Sequence, residues 1–365
     1  MLSKLLLVNS HYRCIHSSNQ RTFSNLQRHI HVLGYPFAGG QGRAGPELSP
    51  AWLFTQQWIQ NRKGVSLEMI DVSNPNNNNV DDKCILHGHR LGQKNWNNVL
   101  YSCQKLEEAT DRTLRRDHFP IVFGGDHSQG IGSINGLKNV FPETRILWVD
   151  AHVDANTPLS SPSGNVHGCP VGYLAGLFPY VKKPVLSLKH LMYFGLRQWE
   201  DEEKQLIIDQ KIPWVKSEDC LIDRMDEIKI QIENHMFPDG KKLPYWISFD
   251  IDSIDQAEFK STGTPESQGI TIDFMLKFFE TFLPEAVGMD FSEVNFMMTE
   301  GEQTEKDEKV VKLIFDKIAE VVHNKQFKYN YSNYSQWQDK NYGVQNSNDD
   351  QNQNQQREKL RLVRA

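Results

Sequence analysis

Cysteine is scarce in this chain of 365 residues, and the five cysteines present form no CxxC pair. An odd count without such pairs argues against a disulfide framework and against a zinc ribbon, and it is typical of a reducing compartment. No apolar run approaches the ~20 residues that span a bilayer, so we expect no transmembrane helix and no membrane partner. The 40 basic and 46 acidic side chains give a net charge of −6. This balance offers no electrostatic footprint for nucleic acid.

Acidic residues are absent before Glu47, and residues 1–28 are rich in Arg and Ser. This composition is typical of an organellar transit peptide, so we expect a mitochondrial location. The alternative is an ordinary disordered terminus on a cytoplasmic protein. Residues 329–365 are dominated by Asn, Gln, Asp and Ser and are expected to be disordered, and the Asn76–Asn79 tract is expected to form an exposed loop. Residues 29–328 then form a single α/β domain.

Short apolar runs alternate with helical patterns between these ends. The runs that predict strands are His29–Tyr35, Val65–Ile70, Phe119–Phe123, Arg145–Val149, Leu191–Phe194, Tyr245–Phe249 and Ala286–Met289. Helical patterns with one apolar face cover Asn97–Asp117 and Glu305–Val322. Continuous apolar strands suit a parallel sheet that is buried on both faces. The alternation therefore predicts an α/β fold, a three-layer αβα sandwich with a doubly wound, mostly parallel sheet.

Ionisable residues follow four of the predicted strands, at the sheet edge where ligands of such folds bind. His127 follows Phe119–Phe123, and Asp290 and Glu293 follow Ala286–Met289. The other two strands are followed by alternating acids and a histidine, which are Asp150, His152, Asp154, Asp250 and Asp252. Residues at i, i+2 and i+4 of an extended segment point to the same side, so these side chains are expected to converge. Any one fragment alone is more often a solvated turn or a strand-exit loop than a site.

Four carboxylates that converge cannot all stay ionised unless cations lie between them. Two divalent metals would balance Asp150, Asp154, Asp250 and Asp252. His127 and His152 would complete the set as neutral ligands, and a set of mostly oxygen with some imidazole favours Mn²⁺ over zinc. Two metals ~3.5–4 Å apart can share a water and lower its pKa towards ~7. The expected product is a hydroxide nucleophile at neutral pH.

Taken together, the motifs resemble the arginase family of ureohydrolases. They occur in family order, as GGDHS at 124–128, DAHVDANTP at 150–158, SGNVHG at 163–168, SFDID at 248–252, TGTP at 262–265 and EVN at 293–295, and GGQGRAGPE at 39–47 resembles the first βα loop. The resemblance runs from about His31 to Asn324. It implies two Mn²⁺ per subunit and hydrolysis of L-arginine to L-ornithine and urea by a metal-bridging hydroxide. It also implies a homotrimer or a dimer of trimers.

The same resemblance implies roles for individual residues. The ligands of one manganese would be His127, Asp150, Asp154 and Asp250, and those of the other would be Asp150, His152, Asp250 and Asp252. His167 resembles the proton-shuttle histidine and would move protons together with Asp252. Glu293 resembles the carboxylate that pairs with the substrate guanidinium, and Thr264 resembles a further polar residue of the active site.

The choice of guanidino substrate depends on two further segments. Asn156, Ser163 and Asn165 resemble a loop that holds an α-carboxylate, which agmatine lacks. This favours L-arginine. Glu200 lies where the family usually has an aspartate that contacts the α-amino group, so that contact is in question. Two alternatives stay open: a sibling ureohydrolase acting on agmatine or another guanidino acid, and a non-catalytic binding protein on the same scaffold.

Overall fold

The computed structural model describes residues 28–324, except for residues 75–83, 87–88, 92, 180 and 182. The predicted leader, apart from Arg28, lies outside these described residues, as do the predicted tail and the Asn76–Asn79 tract. Among the described residues, no helix combines the length and the apolar character that crossing a bilayer requires.

Strands and helices alternate along most of the described chain. The strands are β1 (Ile30–Gly34), β2 (Val65–Met69), β3 (Cys84–Leu86), β4 (His89–Leu91), β5 (Phe119–Phe123), β6 (Arg145–Val149), β7 (Leu191–Leu196), β8 (Trp214–Lys216), β9 (Tyr245–Asp250) and β10 (Ala286–Ser292). The helices are α1 (Ser49–Thr55), α2 (Gln57–Gln60), α3 (Trp96–Arg115), α4 (Gln129–Val140), α5 (Pro170–Leu174), α6 (Asp201–Gln210), α7 (Met225–Met236), α8 (Ile272–Phe282) and α9 (Glu302–Asn324).

Eight strands form one sheet in the order β2–β1–β5–β10–β9–β6–β7–β8, while β3 and β4 pair as a separate antiparallel hairpin. Every pairing in the large sheet is parallel. The four strands that were predicted to carry ionisable residues, β5, β10, β9 and β6, are consecutive in this order. Because parallel strands end at the same edge, the residues that follow them are brought side by side.

Helices cover both faces of the sheet. Buried residues of α3, α4, α5 and α6 pack on one face, and those of α7, α8 and α9 pack on the other. Strands β5, β7, β9 and β10 between them are buried along their whole length, as expected of a parallel sheet that is covered on both faces. The chain is therefore a three-layer αβα sandwich with a parallel sheet, which confirms the predicted fold class.

Helices α3 and α4 approach each other closely at glycine. A Cβ atom on Gly132 of α4 would lie 2.5 Å from the carbonyl oxygen of Cys103 on α3, so only glycine fits at this position. The contact holds α4 close to α3, and α4 begins directly after His127 and Ser128. It therefore also helps to fix the end of the loop that carries a predicted metal ligand.

Apart from shifts of one or two residues at the ends of other strands, two features of the sheet differ from the sequence prediction. Strand β10 continues to Ser292, three residues past the predicted end at Met289, because the side chain of Asp290 is hydrogen-bonded inside the sheet. Asp290 therefore lies within the sheet and does not belong to the group at its edge. Strand β8 was not predicted, since it is a three-residue edge strand with only one buried residue.

Candidate metal centre

Three sheet strands present the candidate ligands. Asp150 directly follows β6, Asp250 is the last residue of β9, and His127 lies in the loop after β5. The loop after β5 turns through Gly124 and Gly125 at φ 91° and 79°, a backbone conformation that glycine adopts without strain. This turn directs His127 back over the ends of β9 and β6.

The imidazole of His127 lies among three carboxylates. Its Nδ1 atom is 2.9 Å from Asp150 Oδ2, 3.1 Å from Asp154 Oδ2 and 3.3 Å from Asp250 Oδ2. His127 is 1 % exposed, so this group is shielded from bulk water. The ring also stacks on Trp148, with centroids 4.3 Å apart.

A second group shares one of these carboxylates. The Nδ1 atom of His152 lies 3.1 Å from Asp252 Oδ2 and 3.4 Å from Asp150 Oδ1. Asp150 thus contributes one carboxylate oxygen to each histidine. Two clusters have ligand atoms close enough together to hold an ion each, one of His127, Asp150 and Asp250 and one of Asp150, His152 and Asp252.

Hydrogen bonds fix the carboxylates in place. Asp150 accepts from the backbone N–H of His152 at 2.7 Å and from Trp148 Nε1 at 3.0 Å. Asp250 accepts from the backbone N–H of Asp252 at 2.8 Å, and Thr264 Oγ1 donates to Asp252 at 2.7 Å. These bonds use only part of the lone-pair capacity of each carboxylate, so oxygen lone pairs are left for a cation.

Electrostatics show what this cluster does without a cation. Burial raises the pKa of Asp154 to about 7, assisted by the charge of Asp150. Burial and the nearby carboxylates of Asp252 and Asp150 also hold the pKa of Asp250 well above its usual value. Burial opposes a charge on His127, but its carboxylate neighbours outweigh burial and raise the pKa of the ring. The raised pKa values of Asp154 and Asp250 reflect repulsion among buried carboxylates, which a cation would relieve.

The residues present fit a pair of divalent cations. Within the described chain, His127 Nδ1 makes no hydrogen bond of acceptable geometry, although three carboxylate oxygens surround it. A buried ring nitrogen without a hydrogen-bonding partner, facing carboxylates, is the donor arrangement that a metal ion would complete. The set has carboxylate oxygen in excess over imidazole and no sulfur, which favours Mn²⁺ over Zn²⁺.

A pocket of about 160 Å³ opens above the cluster. Its walls contain ten of the predicted site residues, which are His152, Asp154, Asn156, Ser163, Asn165, His167, Glu200, Asp250, Asp252 and Thr264. Asn156 Nδ2 donates to Glu200 Oε2 at 3.0 Å, so an amide and a carboxylate stand together on one wall. The structure thus places the predicted substrate-contacting side chains around one opening, except for Glu293, which is buried and does not line the pocket.

Glu293 lies beside the cluster at φ 65°, a strained conformation for a residue with a side chain. Its Oε1 atom accepts from the backbone N–H of His127 at 2.9 Å and lies 3.2 Å from His167 Nδ1. Its Oε2 atom accepts from Gln41 Nε2 at 2.6 Å. Burial opposes the charged form of Glu293, but these contacts outweigh burial and lower its pKa. Glu293 is therefore an ionised carboxylate next to His167.

His167 is held in the complementary state. Burial disfavours its charged form, but the contact with Glu293 and the charges of Asp126 and Asp154 raise the pKa of His167 to about 9. Its backbone N–H donates to the carbonyl of Gly40, which ties it to the loop after β1. At neutral pH the imidazole is protonated and carries a proton that it can deliver.

Some residues of the site were not predicted from the sequence. Gln41 lies within the quoted GGQGRAGPE segment, but nothing in the pattern connects it with a residue 252 positions away. Glu203 also lines the pocket, and it accepts hydrogen bonds from the backbone N–H groups of Ala155 and Glu200. Spacing within a motif predicts neighbours on one strand, whereas these contacts join separate loops.

Comparisons with known proteins identify close relationships over most of the chain. Residues 28–316 match the model of the family described as the arginase family. Arginase-1 of Rattus norvegicus is 31% identical over 290 residues, which cover 74% of this chain and 86% of the rat protein. The hepatic arginase of Aquarana catesbeiana is 33% identical over 263 residues, which cover 67% of this chain and 77% of the frog protein.

Solved structures are similar over a comparable length. The Entamoeba histolytica arginase in complex with L-ornithine has a TM-score of 0.66 and 27% identity, and the match covers 80% of this chain and 99% of that one. A Trypanosoma cruzi formiminoglutamase with Mn²⁺ has a TM-score of 0.59 at 19% identity, covering 84% of this chain and 97% of that one, which is a likeness of fold alone.

Proposed function

The chain belongs to the arginase family and is an arginase-type hydrolase, and from this premise we propose that it hydrolyses L-arginine to L-ornithine and urea with two Mn²⁺ per subunit. The observation that carries the proposal is the position of the carboxylate–imidazole cluster. It lies under a pocket whose walls contain Glu200 and the neutral side chains Asn156, Ser163 and Asn165. The candidate metal ligands and the side chains proposed to contact the substrate thus lie at the same pocket.

We assign the cations to two overlapping ligand sets. His127, Asp150, Asp154 and Asp250 would hold one Mn²⁺, and Asp150, His152, Asp250 and Asp252 would hold the other. When bound there, Mn²⁺ supplies Lewis acidity and lowers the pKa of water, which makes a nucleophile available at neutral pH.

Substrate orientation follows from the charges of the pocket. Glu293 is ionised and offers a carboxylate to the planar guanidinium of arginine. At the outer end, Ser163 and Asn165 can donate hydrogen bonds to an α-carboxylate, and Glu200 with Asn156 can contact an α-amino group. A molecule with a guanidinium at one end and an amino acid group at the other satisfies both sets of contacts.

Proton transfer needs a group that accepts a proton and one that delivers it. Asp252 accepts a hydrogen bond from Thr264 and lines the pocket floor, where it can accept a proton from the attacking nucleophile. His167, whose pKa is raised to about 9, is protonated at neutral pH and can protonate the departing amine. Both residues lie at the same opening, so no large movement is needed between the two transfers.

The carboxylate-rich pocket disfavours two other substrates. None of the described residues that line it is Lys or Arg, so the second carboxylate of formiminoglutamate would find neither of these side chains as a partner there. Agmatine lacks a carboxylate and would leave Ser163 and Asn165 without an acceptor. Agmatine remains the second candidate, because Glu200 replaces the aspartate that is usual in the family and changes the contact at the amino end.

Urea release from the purified protein with added Mn²⁺ tests the proposal, with arginine, agmatine and formiminoglutamate as parallel substrates and formamide measured for the last. We expect a clear preference for arginine. The variant Asn165→Ala should raise KM about tenfold for arginine and leave KM for agmatine nearly unchanged, because one hydrogen bond to a charged group is lost. A preference for agmatine in the parent protein would contradict the assignment.

We also propose a mitochondrial location and a homo-oligomer of three or six chains. The location rests on the composition of residues 1–28, and the assembly rests on the family resemblance. Fusion of residues 1–28 to a fluorescent protein tests the first, since a diffuse cytoplasmic signal would contradict it. Sedimentation equilibrium tests the second, since a monomeric mass at micromolar concentration would contradict it.

A further inference from the structure

Asp290 is a fully buried carboxylate that the proposed chemistry does not use. It lies within β10 at 0 % exposure. Its Oδ2 atom accepts from Ser133 Oγ at 2.6 Å and from Trp246 Nε1 at 2.7 Å, while its Oδ1 atom accepts from Ser248 Oγ at 2.7 Å. Burying a carboxyl group destabilises the fold unless hydrogen bonds compensate, and three donors provide them for Asp290.

Ser248 connects this carboxylate to the metal cluster. Its Oγ atom lies 2.9 Å from His127 Nε2, and its hydroxyl hydrogen is already donated to Asp290. The hydroxyl therefore accepts from His127, and His127 must carry its proton on Nε2. That leaves Nδ1 as the ring nitrogen that can offer its lone pair to a cation among Asp150, Asp154 and Asp250.

We propose that Asp290 is a positioning residue that acts through Ser248 to fix the tautomer and orientation of His127 for cation binding. The inference rests on the proposed metal-dependent function. Asp290 Oδ1 is 3.8 Å from His127 Nε2, which is too far for a direct hydrogen bond, so the effect passes through the serine hydroxyl. A partner of this kind orients a histidine ligand and raises its basicity, and its loss typically lowers metal affinity ~10–100-fold.

The two candidate cation sites respond differently under this proposal. His127 belongs to one site, whereas the side chains of Ser248 and Asp290 make no hydrogen bond to Asp150, His152 or Asp252 among the described residues. Loss of this relay, the chain of hydrogen bonds from Asp290 through Ser248 to His127, should therefore weaken the binding of the cation beside His127. Binding of the other cation should change little. A general loss of stability would weaken both alike.

Mn²⁺ binding to the purified parent chain and three variants, measured by calorimetry and by electron paramagnetic resonance, tests the proposal. We expect Ser248→Ala and Asp290→Asn each to lower the affinity for one of the two Mn²⁺ by about 10–100-fold. Ser133→Ala is the matched control, since it also removes a buried hydroxyl donor to Asp290, whereas the hydroxyl that is hydrogen-bonded to His127 belongs to Ser248. It should change neither affinity by more than about threefold.

The double variant Ser248→Ala/Asp290→Asn distinguishes a relay from two separate effects. If Asp290 acts through Ser248, the double variant binds Mn²⁺ about as weakly as the Ser248→Ala variant alone. Additive losses, equal weakening of both sites, or affinities like those of the Ser133→Ala control would overturn the proposal, as would a parent chain that binds no divalent cation. If the parent chain binds two Mn²⁺ but releases no urea, the proposed function is contradicted, whereas the proposed role of Asp290 is not.

Discussion

At the scale of single residues, the site concentrates unfavourable backbone geometry. Asp154 and Glu293 have φ angles of 55° and 65°, in a region that residues with side chains rarely adopt. Asp154 faces His127, and Glu293 accepts from the backbone of the same histidine. Strain of this kind persists only where surrounding contacts over-determine the conformation, and it is concentrated at functional sites. For Glu293 those contacts include Gln41.

Gln41 is expected to position Glu293 for the substrate guanidinium. In the variant Gln41→Leu, Glu293 Oε2 loses the 2.6 Å hydrogen bond, and the carboxylate is free to turn away. We predict that KM for arginine rises about tenfold while both Mn²⁺ are retained, because a hydrogen bond to a charged group contributes about 1.5–3 kcal/mol. Steady-state urea release together with metal analysis measures both quantities.

The amide of Gln198 provides the matched control for this prediction. Gln198 is exposed and donates to Glu266 Oε2 at 3.1 Å, and it does not line the pocket. The variant Gln198→Leu should therefore leave KM near the parent value. Equal effects of the two substitutions would show that Gln41 has no specific part in holding Glu293.

At the scale of elements, Arg197 joins three loops at the carboxyl edge of the sheet. It follows β7, and its guanidinium donates to the carbonyl oxygens of Gly195, Asp252, Ser253, Glu266 and Ser267 at 2.6–3.3 Å. Because Asp252 and Thr264 belong to two of these loops, the arginine sets their separation. The planar fork of donors suits this role in a way that a lysine ammonium does not.

Removal of the Arg197 guanidinium should destabilise the fold near the site. We predict that Arg197→Ala lowers the free energy of unfolding by about 2–3 kcal/mol, since several hydrogen bonds are lost and their carbonyl groups are only partly solvated. The free energy of unfolding of Arg197→Lys should lie between that of Arg197→Ala and that of the parent chain. Urea-induced unfolding followed by circular dichroism measures the change. Arg224→Ala, which removes an exposed guanidinium paired with Asp219 and Glu227, should leave the midpoint unchanged.

At the scale of the whole molecule, the sequence predicts the features that repeat within one strand. Phe119–Phe123 is apolar at every position because it is buried on both faces, so β5 was predicted with its observed bounds. The alternation of Asp150, His152 and Asp154 likewise places ligands on one side of a segment. Contacts between Gln41 and Glu293, or between Ser248 and Asp290, join separate strands and loops, and no spacing within the sequence encodes them.

Cation binding should stabilise the molecule as a whole. When a chelator removes Mn²⁺, Asp150, Asp154, Asp250 and Asp252 lose the charges that offset their repulsion. We predict that the melting temperature falls on chelation and recovers with added Mn²⁺, since a cation at a hundred times its Kd contributes about 2.7 kcal/mol. Differential scanning calorimetry measures the shift. Asp150→Asn should melt at the same temperature with and without chelator, and an unresponsive parent would contradict the prediction.

A histidine group at the opposite edge of the sheet predicts a separate dependence on pH. His29 and His118 lie with ring centroids 4.6 Å apart, and burial together with the neighbouring His31 lowers the pKa of both. The unfolded chain therefore binds protons before the folded chain as pH falls through about 6.5. The free energy of unfolding is thus reduced below that pH, and the loss is complete only below the folded pKa values.

Substitution of both His29 and His118 should make the free energy of unfolding less dependent on pH. We predict that His29→Gln/His118→Gln loses less stability than the parent between pH 7 and about 5, at one fixed Mn²⁺ concentration. Urea midpoints across that range measure the slope. His235→Gln, which replaces an exposed histidine on α7, should keep the parent slope. A double variant with the parent slope would contradict the role assigned to this pair.

The central claim is that side chains from three sheet strands converge on two cations. Anomalous diffraction from crystals grown with Mn²⁺, recorded on both sides of the manganese absorption edge, tests it most directly. The account predicts two peaks that share Asp150 and Asp250, one beside His127 and Asp154 and the other beside His152 and Asp252. A single peak away from these residues, or none at saturating Mn²⁺, would contradict it.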